Sequence, residues 1–183
     1  MNVPNSLSLL RIALIPCYVA MFYLPGTWTN IAAASVFGLA ALTDWLDGYM
    51  ARRLQQSSKL GAFLDPVADK LLIAVVLILL LQRNPEAWLA LPIAVIIGRE
   101  ITISALREWM AELGARHRVA VSMVGKVKTT CQMIAIILLT IRDPLWGIPI
   151  YQLGAVALYL ATAATLWSMY LYLKAAWPEL KRH

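Results

Sequence analysis

Residues 31–81 read IAAASVFGLAALTDWLDGYMARRLQQSSKLGAFLDPVADKLLIAVVLILLL. This stretch contains two clean apolar runs, 12 residues at 31–42 and 11 residues at 71–81, joined by a polar segment. As helices, the two runs would cover only about 16–18 Å, whereas the hydrocarbon core of a bilayer is about 30 Å thick. Two helices that cross a membrane here must therefore carry their polar ends into it.

The composition of the whole chain excludes an ordinary soluble domain. Of its 183 residues, 61% are hydrophobic and 14% are charged, and the mean hydropathy is +0.69. Soluble domains have about 45–50% apolar and about 25% charged residues. The apolar runs are continuous, whereas the strands of a membrane barrel alternate, so helices are favoured. We expect an all-α integral membrane protein with one domain, residues 1–183.

Six hydrophobic segments predict six transmembrane helices. Turn residues separate several of them, at Pro25-Gly26, Asn84-Pro85 and Asp143-Pro144. The segments are about residues 7–24, 29–52, 67–82, 87–106, 120–141 and 147–173.

The distribution of basic residues orients these segments. An even number of spans places both termini on one side of the membrane, and the opposite side then holds only Arg83 and Arg142. Because cytoplasmic loops carry the excess of Lys and Arg, we expect both termini to be cytoplasmic. The basic residues assigned to that side are Arg52, Arg53, Lys59, Arg107, Arg116, Arg118, Lys174, Lys181 and Arg182.

Ionisable side chains concentrate in the cytoplasmic halves of the predicted spans. Each costs about 2.5–3.5 kcal/mol at the bilayer centre unless it meets water, a partner or an ion. Lys and Arg can extend to the interface, but the short Asp side chain cannot. We therefore expect a shared polar cavity that opens to the cytoplasm. The residues concerned are Arg11, Asp44, Asp47, Asp69, Lys70, Arg99, Glu100, Lys126 and Lys128.

Two pairs of carboxylates share helix faces. Asp44 and Asp47 are three residues apart, and Asp65 and Asp69 are four apart. A turn at 55–61, with Gly61 as its structural glycine, would return the second pair to the first. Four converging carboxylates repel one another unless they are protonated or a hard cation binds. With no His or Cys nearby, oxygen ligands favour magnesium or manganese, and four Asp suffice for a two-metal site.

Small and basic residues accompany the first carboxylate pair. Gly48 and Ala51 follow the two Asp residues by one helical turn and leave room for a ligand against the backbone. Arg52 offers a guanidinium fork for phosphate oxygens. These features predict a phosphoryl-transfer site at a membrane surface.

The same stretch resembles a known family. The chain contains the pattern Asp44-x2-Asp47-Gly48-x2-Ala51-Arg52-x8-Gly61-x3-Asp65-x3-Asp69. This pattern resembles the full signature of the CDP-alcohol phosphotransferase family, with every specified position filled. The resemblance implies six transmembrane helices, a homodimer and two divalent cations, Mg or Mn. It also implies cleavage of a CDP-linked lipid, transfer of its phosphatidyl or phosphoalcohol part to an alcohol, and release of CMP.

The resemblance assigns roles position by position. Asp44 and Asp65 would bridge both metals, Asp47 would complete the first and Asp69 the second. Asp69 would also be the general base that takes the proton from the acceptor hydroxyl. The N-terminal PNSLSLLR resembles the family's PNxLTxxR, with Ser8 where Thr is usual. The implied contacts to CDP-diacylglycerol are Asn5, Arg11, Gly48, Ala51, Arg52 and Ser58.

The second half of the chain resembles one group within this family. Residues 98–133 and 165–173 are similar to bacterial members that use sn-glycerol 3-phosphate as acceptor. This implies a phospholipid-biosynthetic enzyme of the bacterial cytoplasmic (inner) membrane. A phosphate-bearing acceptor needs a cluster of cations. The predicted acceptor phosphate-binding residues are Arg99, Arg107, Lys126 and Lys128.

Three alternatives stay open at this point. The acceptor could be serine, inositol, inositol phosphate or phosphatidylglycerol, of which serine would need less positive charge. A divalent-cation transporter would explain intramembrane Asp residues, but it needs polar groups accessible from both sides, and here they lie in the cytoplasmic halves. A structural scaffold would leave the carboxylates without a use. No basic soluble module is present to bind nucleic acid.

Overall fold

The computed structural model describes residues 3–54, 59–114 and 123–181. Within these ranges the helices are the only extended elements of secondary structure, which confirms the all-α part of the predicted fold class. The helices are α1 (Val3–Tyr23), α2 (Thr27–Leu54), α3 (Lys59–Arg83), α4 (Ala87–Glu112), α5 (Met123–Ile141) and α6 (Ile150–Leu180).

Three stretches of the described helices are long and apolar enough to cross a membrane: Ser6–Tyr23, Ala87–Glu112 and Ile150–Pro178. Val127–Ile141 is apolar but shorter. Helix α3 carries three charged residues, Asp65, Asp69 and Lys70, just before its apolar run, as the sequence predicts for a helix with a polar end. The chain is therefore a helical membrane protein, and six spans remain a prediction.

Three predicted turns fall between helices. Pro25-Gly26 separates α1 from α2, Asn84-Pro85 separates α3 from α4, and Asp143-Pro144 separates α5 from α6. Gly26 has a φ angle of +134°, a conformation that glycine adopts without a steric penalty. These three predictions are confirmed because Pro and Gly act locally on the backbone.

Gly61 corrects the prediction for the remaining helix connection. It lies in the first turn of α3, which begins at Lys59, and not in a turn of the chain. Only residues 55–58 separate α2 from α3, and they lie outside the described residues. A glycine costs a helix only about 1 kcal/mol relative to alanine, so a single glycine does not prevent the first turn of α3 from forming.

The chain divides into two compact units. The first comprises Met1–Asn84 and Ile136–Gly154. Within it, α1 packs against both α2 and α3. Its core includes Tyr18, whose ring contacts Phe37 edge-on at a centroid distance of 6.5 Å and whose hydroxyl lies 3.1 Å from the Thr140 hydroxyl. Helix α1 is therefore the element around which this unit is assembled.

Arg83 closes one end of the first unit. Its two terminal nitrogens donate to the Asn30 side-chain oxygen at 2.8 Å and to the Phe22 carbonyl oxygen at 2.7 Å. The guanidinium also lies 3.8 Å from the centre of the Phe22 ring. Asn30 in turn donates to Asp143 at 2.9 Å. This network ties the end of α1 to the start of α2 and the end of α3.

The second unit comprises Pro85–Ala135 and Ala155–His183. Its apolar core contains Ile103 and Met110 from α4 with Tyr172 and Ala176 from α6. The Tyr159 hydroxyl donates to the carbonyl oxygen of Trp88 at 2.8 Å. Contacts between α4 and α6 thus hold this unit together.

Candidate functional site

Arg11 and Asp44 form an ion pair between α1 and α2. The Arg11 Nη1 atom lies 3.1 Å from Asp44 Oδ1. The Arg11 side chain is 1% exposed, whereas that of Asp44 is 46% exposed. A buried guanidinium needs a compensating anion, and Asp44 supplies it. Because nearly half of the Asp44 side chain stays accessible, its carboxylate can also bind a ligand.

Ser8 and Asp65 form a second contact, between α1 and α3. The Ser8 hydroxyl donates a short hydrogen bond to Asp65 Oδ1, and Ser8 is fully buried. Ser8 precedes Arg11 by three residues, so both lie on the same face of α1. One face of α1 therefore contacts one signature carboxylate from α2 and one from α3.

Asp69 is the third signature carboxylate with a described side chain. It lies one helical turn after Asp65 on α3 and is half-buried. Among the described residues, no three Asp, Glu, His or Cys side chains are close enough to hold a metal ion together. The available donors Asp44, Asp65 and Asp69 are nevertheless all carboxylates, which fit a hard cation such as Mg or Mn. The chemistry of these three side chains therefore agrees with the predicted metal ligands, and the four-ligand site stays a prediction.

Several predicted site residues lie partly or wholly outside the described residues. Ser58 is not described at all. For the others the position in a helix is described but the surroundings of the residue are not. These residues are Asn5 in α1, Asp47, Gly48, Ala51 and Arg52 in α2, and Lys126 in α5. Their roles stay predictions.

Two of the predicted acceptor-binding residues contact the same glutamate in the second unit. Lys128 of α5 is 3% exposed and forms a short ion pair with Glu100 Oε1 of α4. Arg99 is also buried; its Nη1 lies 3.4 Å from the same Glu100 oxygen, and its Nη2 donates to the Ser168 hydroxyl of α6. Glu100 therefore contacts two buried cations. The sequence did not predict the pairing of Glu100 with Lys128, because the two residues lie on different helices.

The remaining polar groups of this unit differ in environment. Arg107 is exposed. Gln132, one helical turn after Lys128, is 1% exposed, and among the described residues neither its amide nitrogen nor its oxygen has a hydrogen-bond partner. The Arg99 Nε atom is likewise without one. The buried amide of Gln132 was missed from the sequence because a single Gln in an apolar helix carries no motif.

A family model described as CDP-alcohol phosphatidyltransferase matches residues 1–167. The chain belongs to the CDP-alcohol phosphatidyltransferase family. The match covers most of both units, and it confirms the family indicated by the acidic signature. Family membership makes the chain a transferase, and the contacts of α1 with Asp44 and Asp65 are contacts to two residues of the acidic signature.

The similarity to curated members of the CDP-alcohol phosphatidyltransferase family extends over nearly the whole chain. A protein of Pseudomonas fluorescens is 54% identical over 182 residues, which are 99% of this chain and 93% of the relative. A protein of Escherichia coli (strain K12) is 52% identical over 179 residues, 98% of this chain and 97% of the relative. A protein of Shigella flexneri has the same identity and coverage. Each of the three is named CDP-diacylglycerol–glycerol-3-phosphate 3-phosphatidyltransferase.

Proposed function

We propose that this chain transfers the phosphatidyl group of CDP-diacylglycerol to the primary hydroxyl of sn-glycerol 3-phosphate. The products are phosphatidylglycerol phosphate and CMP. One observation carries the proposal: relatives named for this reaction are 52–54% identical over 98–99% of the chain. The similarity includes α4 to α6, whose residues are expected to set the choice of acceptor, and not only the acidic signature.

The carboxylates are proposed to hold two divalent cations, Mg or Mn. Asp44 and Asp65 would contact both ions, Asp47 the first and Asp69 the second. When bound, the ions would neutralise the diphosphate of CDP-diacylglycerol and stabilise the charge that develops on the leaving phosphate. The carboxylate oxygens of Asp44, Asp65 and Asp69 support this assignment because they match the ligand preference of these cations.

Asp69 is proposed to start the transfer. Its carboxylate accepts the proton of the primary hydroxyl of sn-glycerol 3-phosphate as that oxygen attacks the phosphatidyl phosphorus. A new P–O bond forms to the acceptor, and the P–O bond to the CMP phosphate breaks with its electron pair on CMP. Phosphoryl transfer needs mainly positioning and charge stabilisation, so the chain has little covalent chemistry to perform.

The nucleotide part of CDP-diacylglycerol is proposed to contact α1, α2 and the segment that follows α2. The residues are Asn5, Arg11, Gly48, Ala51, Arg52 and Ser58. The structure adds that Arg11 pairs with Asp44, so any contact of Arg11 with the nucleotide would share the five N–H donors of the guanidinium with that ion pair.

The acceptor phosphate is proposed to bind the basic residues of α4 and α5. Lys128 and Arg99 are both buried and both lie beside Glu100, and two buried cations at one place support an anionic acceptor over serine. The full proposed set is Arg99, Arg107, Lys126 and Lys128.

The membrane arrangement is part of the same proposal. We propose six spans in the bacterial cytoplasmic (inner) membrane, both termini on the cytoplasmic side, one catalytic domain over residues 1–183, and a homodimer. The three apolar helical stretches Ser6–Tyr23, Ala87–Glu112 and Ile150–Pro178 support membrane insertion. Cysteine-free variants with single cysteines placed in the turns, labelled from one side of sealed vesicles, would test the topology.

The reaction is tested by CMP release from the purified protein in detergent with CDP-diacylglycerol and Mn or Mg. Glycerol 3-phosphate, serine, inositol, inositol phosphate and phosphatidylglycerol are supplied in separate reactions. We expect release only with glycerol 3-phosphate and its loss on chelation. Release with another acceptor would overturn the acceptor assignment and keep the transferase. Metal flux into proteoliposomes without CMP release would instead favour a transporter.

A further inference from the structure

We propose that Ser8 is a positioning residue that orients Asp65 for binding a divalent cation. The inference rests on the proposed function, because it assumes that Asp65 is a metal ligand. It goes beyond that function in assigning the orientation of the carboxylate to a hydroxyl on α1.

The first argument is the contact itself. Ser8 is fully buried, and its hydroxyl donates to Asp65 Oδ1 on a helix 57 residues further along the chain. A carboxylate has two oxygens and about four lone-pair sites, so one hydrogen bond leaves ample capacity for a cation. A hydroxyl donor that fixes one oxygen restricts the rotation of the carboxylate. It thereby sets the direction of the lone pairs that remain for a cation.

The second argument is the placement of Ser8 on α1. Arg11 lies on the same helix face, three residues later, and pairs with Asp44 at 3.1 Å. Helix α1 packs against both α2 and α3, the helices that carry these carboxylates. The Ser8–Arg11 face therefore holds one carboxylate of each helix, so Ser8 is part of a continuous support and not an isolated polar residue.

The third argument is chemical. Groups that hydrogen-bond to metal ligands fix the ligand orientation, and their removal typically costs about 10–100-fold in metal affinity or activity. Threonine keeps the hydroxyl at the same Cβ position, whereas alanine removes it. Ser8→Thr should therefore preserve the cation affinity that Ser8→Ala lowers.

The experiment measures Mn²⁺ binding to the purified full-length protein in detergent, without substrate. Free Mn²⁺ is quantified by electron paramagnetic resonance. We expect Ser8→Ala to raise the Mn²⁺ dissociation constant about tenfold and Ser8→Thr to stay within about twofold of the unmodified protein. The matched control is Thr165→Ala, which removes a buried hydroxyl that donates to the Ala161 carbonyl oxygen within α6 and should leave Mn²⁺ affinity unchanged.

A double-mutant cycle with Asp65→Asn separates orientation of this carboxylate from a general structural effect. If Ser8 acts through Asp65, adding Ser8→Ala to Asp65→Asn changes Mn²⁺ affinity no further. An undiminished effect in the Asp65→Asn background would overturn the proposal, as would Mn²⁺ binding by Ser8→Ala equal to that of the unmodified protein. An unmodified protein that binds no Mn²⁺ would overturn it as well.

The two proposals fail separately. If the unmodified protein binds Mn²⁺ and the Ser8 variants behave as expected, but no acceptor supports CMP release, the proposed function fails and the role of Ser8 stands. If CMP release requires glycerol 3-phosphate and metal, while Ser8→Ala binds Mn²⁺ normally, the role of Ser8 fails and the function stands.

Discussion

Arg11 Nη1 lies 3.1 Å from Asp44 Oδ1, with the Arg11 side chain 1% exposed and the Asp44 side chain 46% exposed. Because the burial is unequal, the Arg11 guanidinium is enclosed by the protein, whereas the Asp44 carboxylate stays accessible. Removal of Asp44 takes a counter-charge from a buried guanidinium, whereas removal of both partners leaves no buried guanidinium to compensate.

The first prediction concerns this pair. Asp44→Asn should destabilise the metal-free protein by about 1–3 kcal/mol, less than the roughly 3–5 kcal/mol of a fully buried pair because Asp44 is half exposed. Adding Arg11→Met should recover most of that stability. Thermal unfolding in the presence of a chelator measures both variants. A double variant that is less stable than Asp44→Asn alone would show that Arg11 stabilises the fold independently of Asp44.

The second prediction concerns the general base. Asp69→Asn should lower the rate of CMP release by about 10²–10⁴-fold, because an amide cannot accept the proton of the acceptor hydroxyl. Asp143→Asn is the matched control; Asp143 accepts a hydrogen bond from Asn30 and has no proposed part in the reaction. Single-turnover CMP release is the measurement. Near-normal turnover by Asp69→Asn would contradict its proposed role.

The third prediction separates acceptor binding from charge pairing at Lys128. Lys128→Met leaves Glu100 without its lysine partner and should both destabilise the protein and raise the KM for glycerol 3-phosphate. Glu100 keeps Arg99 as an ion-pair partner in this variant, so the control is Glu100→Gln, which removes the counter-charge but keeps both buried cations. Glu100→Gln should destabilise the protein without raising the KM. A normal KM for Lys128→Met would show that Lys128 is structural and does not bind the acceptor.

The fourth prediction concerns Gly154, where α6 approaches α5 closely. A Cβ atom on Gly154 would lie 2.9 Å from the Leu139 backbone nitrogen and 3.0 Å from Leu139 Cγ. Gly154→Ala should therefore destabilise the protein by about 1–3 kcal/mol through overpacking. Gly38→Ala is the control: no described atom lies within 4 Å of its added Cβ, so it should be neutral or stabilise α2 by up to about 1 kcal/mol. Equal melting temperatures for the two variants would contradict the close approach.

The fifth prediction concerns the buried amide of Gln132. An unsatisfied buried polar group costs about 1–3 kcal/mol, so Gln132→Met should raise the melting temperature by a few degrees. Gln152→Met, at an exposed position of α6, should leave the melting temperature unchanged. A lower melting temperature for Gln132→Met would mean that the amide is satisfied in the folded protein.

Local chemistry explains the part of the architecture that could be predicted. The long apolar runs require helices in a membrane, and Pro25-Gly26, Asn84-Pro85 and Asp143-Pro144 interrupt them through backbone constraints that act within a few residues. The acidic signature likewise identified the family, because its residues lie at fixed spacings on two successive helices. The prediction of a turn at Gly61 was wrong because a single glycine lowers helix stability by only about 1 kcal/mol, and Gly61 lies within α3.

Contacts between distant segments needed the tertiary structure. Ser8 contacts Asp65 across 57 residues, and Lys128 contacts Glu100 across 28 residues. Each pair joins two different helices, so the periodicity within one helix could not pair these residues. The sequence determined which helices form, and it predicted which residues carry chemistry, since both inferences depend on near neighbours. Packing of α1 against α2 and α3 decided which hydroxyl and which guanidinium hold the carboxylates, because only packing brings remote side chains within hydrogen-bond distance.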